Sequence, residues 1–207
     1  GWSHGDDEIF STEQAVEWFD IADINKAPGR LDFAKLADVN GHYVRQMGEV
    51  ELLARIGTLL DEIEGGEDIK ERMTDVGEDK LAAALPALKE RAKTLKDVID
   101  GAHYLLALRP LALDDKATKL LDAEARATLA ALRPGLEAVN DWTAGEIEGA
   151  VRTFVEAQGL KLGKVAQPLR AAVVGRAVSP PIFDVMAILG KIEVLERISD
   201  QTAATPA

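Results

Sequence analysis

A basic window without acidic neighbours is the part of this 207-residue sequence whose chemistry best suits the binding of a charged ligand. No Asp or Glu occurs within Ala157–Phe183. The window contains four basic residues, Lys161, Lys164, Arg170 and Arg176. Lys and Arg neutralise phosphate oxygens, and the guanidinium of Arg also bonds the acceptor atoms of a base edge. The window therefore has the side chains of a nucleic-acid contact.

A proline-stiffened segment closes this window. Pro180 and Pro181 follow Ser179, and the bulky apolar residues Ile182 and Phe183 come next. Because proline lacks an N–H group, the two prolines weaken any phosphate site at the start of the next helix. They leave a rigid apolar ledge, which suits the face of an unstacked base.

A second interpretation of the same segment is structural. In it, Ile182 and Phe183 belong to the hydrophobic core and Arg170 is an ordinary surface charge. By the residues alone, this core interpretation is the stronger of the two.

The remaining reactive residues show no catalytic pattern. The three histidines, His4, His42 and His103, lie far apart and lack metal-ligand spacing, and the chain has no cysteine. It also has no glycine-rich phosphate loop and no nucleophile elbow. The sequence therefore predicts no catalytic residue and no metal site in this chain.

The overall charge argues against the nucleic-acid partner that the basic window indicates. The formal net charge is −12, which by its sum argues against a nucleic-acid partner. Much of the acid lies near the N-terminus and within Asp61–Asp79, however, and binding depends on where charges lie. The acidic stretch supports an alternative of another class, a helical protein-interaction module that binds a basic partner.

The elements that must position these residues are predicted to be helices. Apolar residues recur at helical spacing along most of the chain, and Ser11, Asp32, Thr143 and Ser179 are placed to cap helices. Pro86 and Pro134 predict kinks or breaks. The fold class is therefore all-α, with a short strand or hairpin arm in "GHYVRQM" as an alternative for that segment. No apolar run is long enough to cross a membrane.

Two breaks, at Arg45–Glu49 and Leu111–Asp115, divide the chain into predicted units. The units are residues 1–48, a helical domain at 49–112, a second helical domain at 113–201, and a disordered tail at 202–207.

Several motifs together resemble bacterial glutamyl-tRNA synthetases, which are class I aminoacyl-tRNA synthetases. The most specific is "KLGKVAQPLRAAVVGRAVSPPIFDVMAILGKIEVLERI", which is similar to the C-terminal segment of that family. "GWSHGDDEIFSTEQAVEWFD" and "GRLDFAKLADVNGHYVRQM" are similar to the region after its KMSKS-type loop, and "NDWTAGEIEGAVRTFVEAQGLKLG" fits in the same order. The resemblance covers the chain to about Asp200.

The resemblance implies a tRNA-binding C-terminal part of a glutamate–tRNA ligase. Residues 1–48 would end a stem-contact domain, and the two helical domains would bind the anticodon. The full enzyme would be a cytoplasmic monomer that joins glutamate to tRNA-Glu with ATP and Mg²⁺. The HIGH and KMSKS motifs are absent here, and the chain opens on Gly-Trp without Met. We therefore expect an inactive fragment that binds no cofactor itself, with charging of tRNA-Gln as an alternative for the full enzyme.

The resemblance also implies which residues contact tRNA. Those implied for the anticodon are Arg91, Arg170, Ser179, Pro180, Ile182 and Phe183. Those implied for the tRNA backbone are Lys35, Arg45, Lys161, Lys164 and Arg176. The sequence departs from the family pattern at Pro181, where many relatives have a small residue such as glycine.

Overall fold

The computed structural model of the protein describes residues 2–26 and 31–203. In these ranges the chain forms thirteen α-helices and one 3₁₀ turn, so the predicted all-α class is confirmed. The helices are Thr12–Trp18 (α1), Phe33–Gln46 (α2), Glu49–Glu62 (α3), Gly66–Val76 (α4), Glu78–Arg91 (α5), Leu95–Gly101 (α6), His103–Leu106 (α7), Asp115–Leu120 (α8), Ala123–Glu137 (α9), Ala144–Ala157 (α10), Leu162–Val174 (α11), Ile182–Leu189 (α12) and Lys191–Thr202 (α13). The 3₁₀ turn is Ile21–Asp23.

Three of the predicted helix caps are confirmed. The Ser11 hydroxyl accepts a hydrogen bond from Gln14 N, and the Gln14 side chain accepts one from Ser11 N, which completes a capping box. Asp32 caps α2, and the Thr143 hydroxyl accepts from the third residue of α10. These side chains satisfy N–H groups that have no partner inside the helix.

The predicted breaks at Pro86 and Pro134 are wrong, and the alternative of a kink stays a prediction. Helix α5 runs through Pro86, and α9 runs through Pro134. The chain breaks instead where new caps begin: Thr94 starts α6 with a capping box, and Asp122 starts α9. An aspartate or threonine cap marks these boundaries better than the apolar periodicity, which continues across them.

The alternative of a strand or hairpin arm at residues 41–47 is also wrong. Residues 41–46 are the last part of α2, whose Gly41 and Val44 are buried. Asn40, also in α2, donates from its side chain to Lys93 O, so this helix is held against the α5–α6 turn. In the described ranges the β pairing is a single isolated bridge between His4 and Asp7.

The helices pack as two neighbouring groups. Helices α3 to α7 contact one another, and so do α8 to α13. Helix α5 contacts α12 across the two groups, where Lys80 Nζ donates to Leu189 O at 3.2 Å. One cluster of buried apolar side chains continues through both groups. The boundaries at 48/49 and 112/113 therefore stay predictions.

A buried arginine connects the two groups. The Arg197 side chain, on α13, is 2% exposed and donates to Tyr104 O at 2.8 Å and to Val173 O at 2.7 Å. Its Nε donates to Glu193 Oε1 at 2.6 Å, so the charge is paired inside the protein. The arginine thereby satisfies backbone carbonyls at the ends of α7 and α11.

The last helix of the described residues includes the first position of the predicted tail. Helix α13 extends to Thr202, so the prediction of disorder is wrong at that residue. Residues 204–207 lie outside the described residues. Among the helices in the described ranges, none has the length and apolar character needed to cross a membrane.

Candidate nucleic-acid interface

Two arginines from different helix groups meet at one serine. Arg91 ends α5 and its Nη1 donates to the Ser179 carbonyl at 3.3 Å. Arg170 lies in α11 and its Nε donates to the Ser179 hydroxyl at 3.1 Å. The structure therefore brings together three of the residues that the resemblance implied for anticodon contact, although 88 positions separate Arg91 from Ser179.

A glycine sets the direction of the loop that carries this serine. Helix α11 ends at Gly175, which has φ +76°, a left-handed conformation that side chains disfavour. A Cβ atom at this position would lie 2.7 Å from the carbonyl oxygen of Ala112. Asp114 N donates to Gly175 O at 3.0 Å and so fixes the turn against the start of α8. We call residues 176–181, which follow this turn, the Ser179 loop.

Ser179 does not cap α12 as predicted. The N-cap residue is Pro181, and the Ser179 hydroxyl instead donates to Pro180 O at 2.6 Å. Pro181 has no N–H for a serine cap to bond at the second helical position, and the helix begins instead at Ile182. The same hydroxyl keeps its acceptor function for Arg170.

Among residues 2–26 and 31–203, no acidic side chain forms an ion pair with Arg91 or Arg170. Partial burial lowers the pKa of Arg170, and the nearby Arg91 charge lowers that pKa further. Arg170 stays cationic, since arginine titrates far above neutral pH. Two cations held beside one neutral residue favour an anionic ligand, or one rich in hydrogen-bond acceptors.

An open groove of about 350 Å³ lies beside the Ser179 loop. Cationic side chains of Arg91, Arg176 and Lys116 line it, together with the apolar side chain of Val178. Lys116 was missed by sequence reasoning because it lies outside the acid-free window and follows two aspartates.

Three carboxylates also line this groove, but each already accepts bonds from the protein. Asp97 accepts from Lys93 N and Thr94 N, Asp100 pairs with Lys96, and Asp114 accepts from Ala117 N. They serve as helix caps and as half of an exposed ion pair. Three cationic side chains and three carboxylates therefore line the groove, and the carboxylates are held by bonds to the protein.

The apolar ledge is divided between core and surface. Pro180 is buried and Ile182 is only 4% exposed, as the core interpretation expects, and Phe183 is half-buried. Pro181 is exposed and Val178 is 69% exposed, so these two present apolar surface to a ligand. Anticodon contact by Pro180, Ile182 and Phe183 stays a prediction.

The remaining basic residues of the window are accessible. Lys161 and Lys164 are exposed at the start of α11, about 9 Å or more along the helix axis from Arg170. Lys164 lines a separate cavity of about 420 Å³ together with Lys119. Arg176 is exposed and donates to Asp100 O at 3.3 Å. These residues lie along one helix and the loop that follows it.

Lys35 and Arg45 lie on a different element, helix α2. Both are exposed on α2, and Lys35 Nζ pairs with Glu8 Oε1 at 2.6 Å. Their contact with the tRNA backbone stays a prediction.

His103 lies between the two helix groups and serves as a structural side chain. Its Nε2 is 2.9 Å from Val174 O, and its Nδ1 is 3.2 Å from Asp100 O. Burial lowers the pKa of His103. In the described parts of the chain, no group of three or more His, Cys, Asp or Glu side chains is arranged to hold a metal ion.

A helical scaffold that gathers arginines and lysines along α11 and the Ser179 loop has the features of a nucleic-acid-binding module. The protein-family model described as "Anticodon binding domain" matches residues 47–202. The chain therefore belongs to the anticodon-binding domain family.

The curated proteins that the chain resembles include glutamate–tRNA ligases. The chain is 55% identical over 201 residues to "Glutamate--tRNA ligase 2" of Brucella ovis, a match that covers 97% of the chain and 42% of the relative. It is 54% identical to "Glutamate--tRNA ligase 1" of Brucella melitensis, with the same coverage. The chain thus spans less than half the length of these relatives.

Solved structures agree with these matches. A glutamate tRNA ligase from Elizabethkingia meningosepticum, in complex with its amino acid, superposes with a TM-score of 0.79 at 28% identity, over 98% of this chain and 38% of that one. The glutamate-tRNA synthetase from Elizabethkingia anophelis gives a TM-score of 0.72 at 28% identity, over 99% and 38%. The family resemblance seen in the sequence is therefore confirmed.

Proposed function

We propose that this chain is the tRNA-binding part of a glutamate–tRNA ligase, and that the Ser179 loop contacts the anticodon of tRNA-Glu. The observation that carries the proposal is the meeting of Arg91 and Arg170 at Ser179. Arginine has donors but no acceptor, so the pair bonds phosphate oxygens or base acceptors. Arg176, Lys161 and Lys164 extend the same contact along the RNA backbone, and Lys35 and Arg45 contact it nearer the N-terminus.

The complete protein would be a cytoplasmic, monomeric enzyme that attaches glutamate to tRNA with ATP and Mg²⁺. We assign ATP and Mg²⁺ to a part of the protein other than this chain, which spans less than half the length of its relatives. The role left to this chain is to bind and orient the tRNA.

Filter binding of tRNA-Glu to the chain at low salt tests the proposal. We expect Arg170→Ala to weaken binding by about 1–3 kcal/mol, the range of a good side-chain contact to a base. Arg152→Ala is the matched control, since Arg152 is an exposed arginine paired with Glu148 on α10. Equal affinities for wild-type protein and Arg170→Ala would remove Arg170 from the site.

Discrimination between tRNA-Glu and tRNA-Gln is assigned to Arg91. Arg91 donates to the Ser179 carbonyl, whereas Arg170 donates to the Ser179 hydroxyl, and Arg91 lies at the end of the other helix group. We expect Arg91→Ala to reduce the ratio of the two affinities, measured by filter binding of both tRNAs. A ratio unchanged by Arg91→Ala would show that the discrimination lies elsewhere.

A further inference from the structure

Both ring nitrogens of His103 face backbone carbonyl oxygens. Nε2 is 2.9 Å from Val174 O, the last carbonyl of α11, and Nδ1 is 3.2 Å from Asp100 O, near the end of α6. A carbonyl oxygen accepts hydrogen bonds and cannot donate one, and a neutral imidazole has a single N–H. The ring can therefore donate to both oxygens at once when it is protonated, and to one of them when it is neutral.

Other features of the site oppose the protonated ring. Burial disfavours the charge, and the charges of Arg176 and Arg197 repel it, so together they lower the pKa of His103 despite the two carbonyl oxygens. The neutral ring thus predominates at pH 7 and leaves one of its two contacts without a proton. Uptake of the second proton depends on the balance between these bonds and this repulsion.

The two repelling arginines differ in whether a ligand can reach them. Arg197 is 2% exposed, and its charge is paired with Glu193 inside the protein. Arg176 is exposed, and its Nη1 donates at 3.3 Å to Asp100 O, the same oxygen that His103 Nδ1 faces. An anion that binds Arg176 therefore offsets a positive charge held beside the imidazole ring.

We propose that His103 couples proton uptake to the binding of an RNA phosphate at Arg176. When the phosphate offsets the Arg176 charge, the ring takes one proton from solvent and donates to Val174 O and Asp100 O together. The protonated ring then bonds the end of α11 to the end of α6 in the other helix group. The inference rests on the proposed contact of Arg176 with the RNA backbone and adds a pH dependence to it.

The coupling acts in both directions. Because linkage is reciprocal, lower pH should tighten RNA binding by the same factor by which bound RNA favours the proton. His103 lines two cavities, of about 350 and 550 Å³, so solvent protons can reach the ring.

The other charged or titratable side chains around His103 are of types that do not titrate near neutral pH. Those that share its cavities, contact its ring or act on its charge are Arg72, Arg91, Asp97, Asp100, Tyr104, Asp114, Lys116, Arg176 and Arg197. Histidine is the side chain whose ordinary pKa places its charge change between pH 5 and 8. Burial raises the pKa of Tyr104 to about 12. A local charge change in this range is therefore assigned to His103.

The first test follows the His103 ring in the free chain by NMR titration. We expect its midpoint to rise by about half a pH unit in Arg176→Gln, which removes the neighbouring charge without RNA. Arg152→Gln is the matched control, since it removes an exposed arginine on α10 and should leave the midpoint unchanged. His103→Gln identifies the signal among those of the three histidines.

The second test is filter binding of tRNA-Glu at pH 8 and pH 6 in the same salt. We expect the gain in affinity at the lower pH to be about threefold larger for wild type than for His103→Gln, the factor that corresponds to half a pH unit. Arg176→Gln keeps the histidine but should lose the same gain. It therefore keeps the inference testable if His103→Gln folds poorly.

The outcomes separate the inference from the proposed function. A midpoint in Arg176→Gln equal to that of wild type would overturn the inference. An equal pH dependence of tRNA binding in wild type and His103→Gln would overturn it as well. A wild-type chain that binds no tRNA-Glu at either pH would instead overturn the proposed function, while the NMR titration would still test whether the Arg176 charge controls the His103 proton.

Discussion

The surroundings of the Ser179 loop and the acidic helix α4 differ in how their main charges are held: the arginines near the loop are bonded to the protein, and the carboxylates of α4 lie exposed. In the loop region, Arg91, Arg170 and Arg176 each donate to a group of the protein that lies far along the chain or beyond a turn. In α4, Glu67, Asp68, Glu71 and Asp75 are exposed. Charge on a solvated helix face costs little and fixes no geometry.

This difference explains why the net charge of the chain does not describe the charge around the Ser179 loop. The formal charge of −12 counts every carboxylate equally. A ligand responds to the local potential and to the direction of the donors, which the loop supplies and α4 does not. The acidic stretch is therefore compatible with tRNA binding at the basic residues of the acid-free window.

The largest effect is expected where an arginine is buried. Arg197→Met should lower the free energy of unfolding by about 3 kcal/mol, because it leaves Glu193 and two backbone carbonyls without their donor. Arg152→Met removes the same type of i,i+4 pair at an exposed site and should cost about 0.5 kcal/mol or less. Denaturant titration measures both, and equal losses would contradict the role of Arg197 in joining the helix groups.

A smaller effect is expected at the turn that starts the Ser179 loop. Gly175→Ala should lower the free energy of unfolding by about 2 kcal/mol, because of its positive φ and the close carbonyl of Ala112. The control is Gly159→Ala, which has φ +63° but open space around the added methyl group, and should cost about 1 kcal/mol. Thermal unfolding of the two variants compares them. If Gly159→Ala were the more harmful change, the close approach at Gly175 would not matter.

The smallest effect is expected on α4. Replacing Glu67 and Glu71 by Gln should change the free energy of unfolding by no more than about 0.5 kcal/mol, since both side chains are exposed. Affinity for tRNA-Glu should stay within about twofold of wild type or rise slightly. A strong loss of tRNA binding would show that the acidic surface takes part in recognition.

Local features of the fold were predictable from the sequence, and contacts between distant segments were not. The caps at Ser11 and Asp32 depend on residues within one turn, so the sequence shows them directly. The break between α5 and α6 was missed because the apolar pattern continues through Ala92, which is buried in a turn. Pro86 and Pro134 do not end their helices, because tertiary packing overrides the local preference of proline.

The candidate site also combines features that the sequence predicts with contacts that it does not. Arg170 and the Ser179 loop stand out as an acid-free, proline-stiffened window, whereas nothing near Arg91 distinguishes it from other surface charges. Only the family resemblance selected Arg91, and the structure places it on Ser179. The burial of Pro180 and Ile182 depends on how α12 packs, which one sequence does not reveal.

The salt dependence of tRNA-Glu binding tests the central claim most directly. We expect affinity to fall steeply with added salt, and the slope of log affinity against log salt to shrink by about 0.7–0.9 for each phosphate contact removed. Replacing Lys161, Lys164, Arg170 and Arg176 by Gln should abolish most of that slope. An unchanged slope in this variant, with binding that depends on the acids of α4 instead, would contradict the account and favour a protein-interaction module.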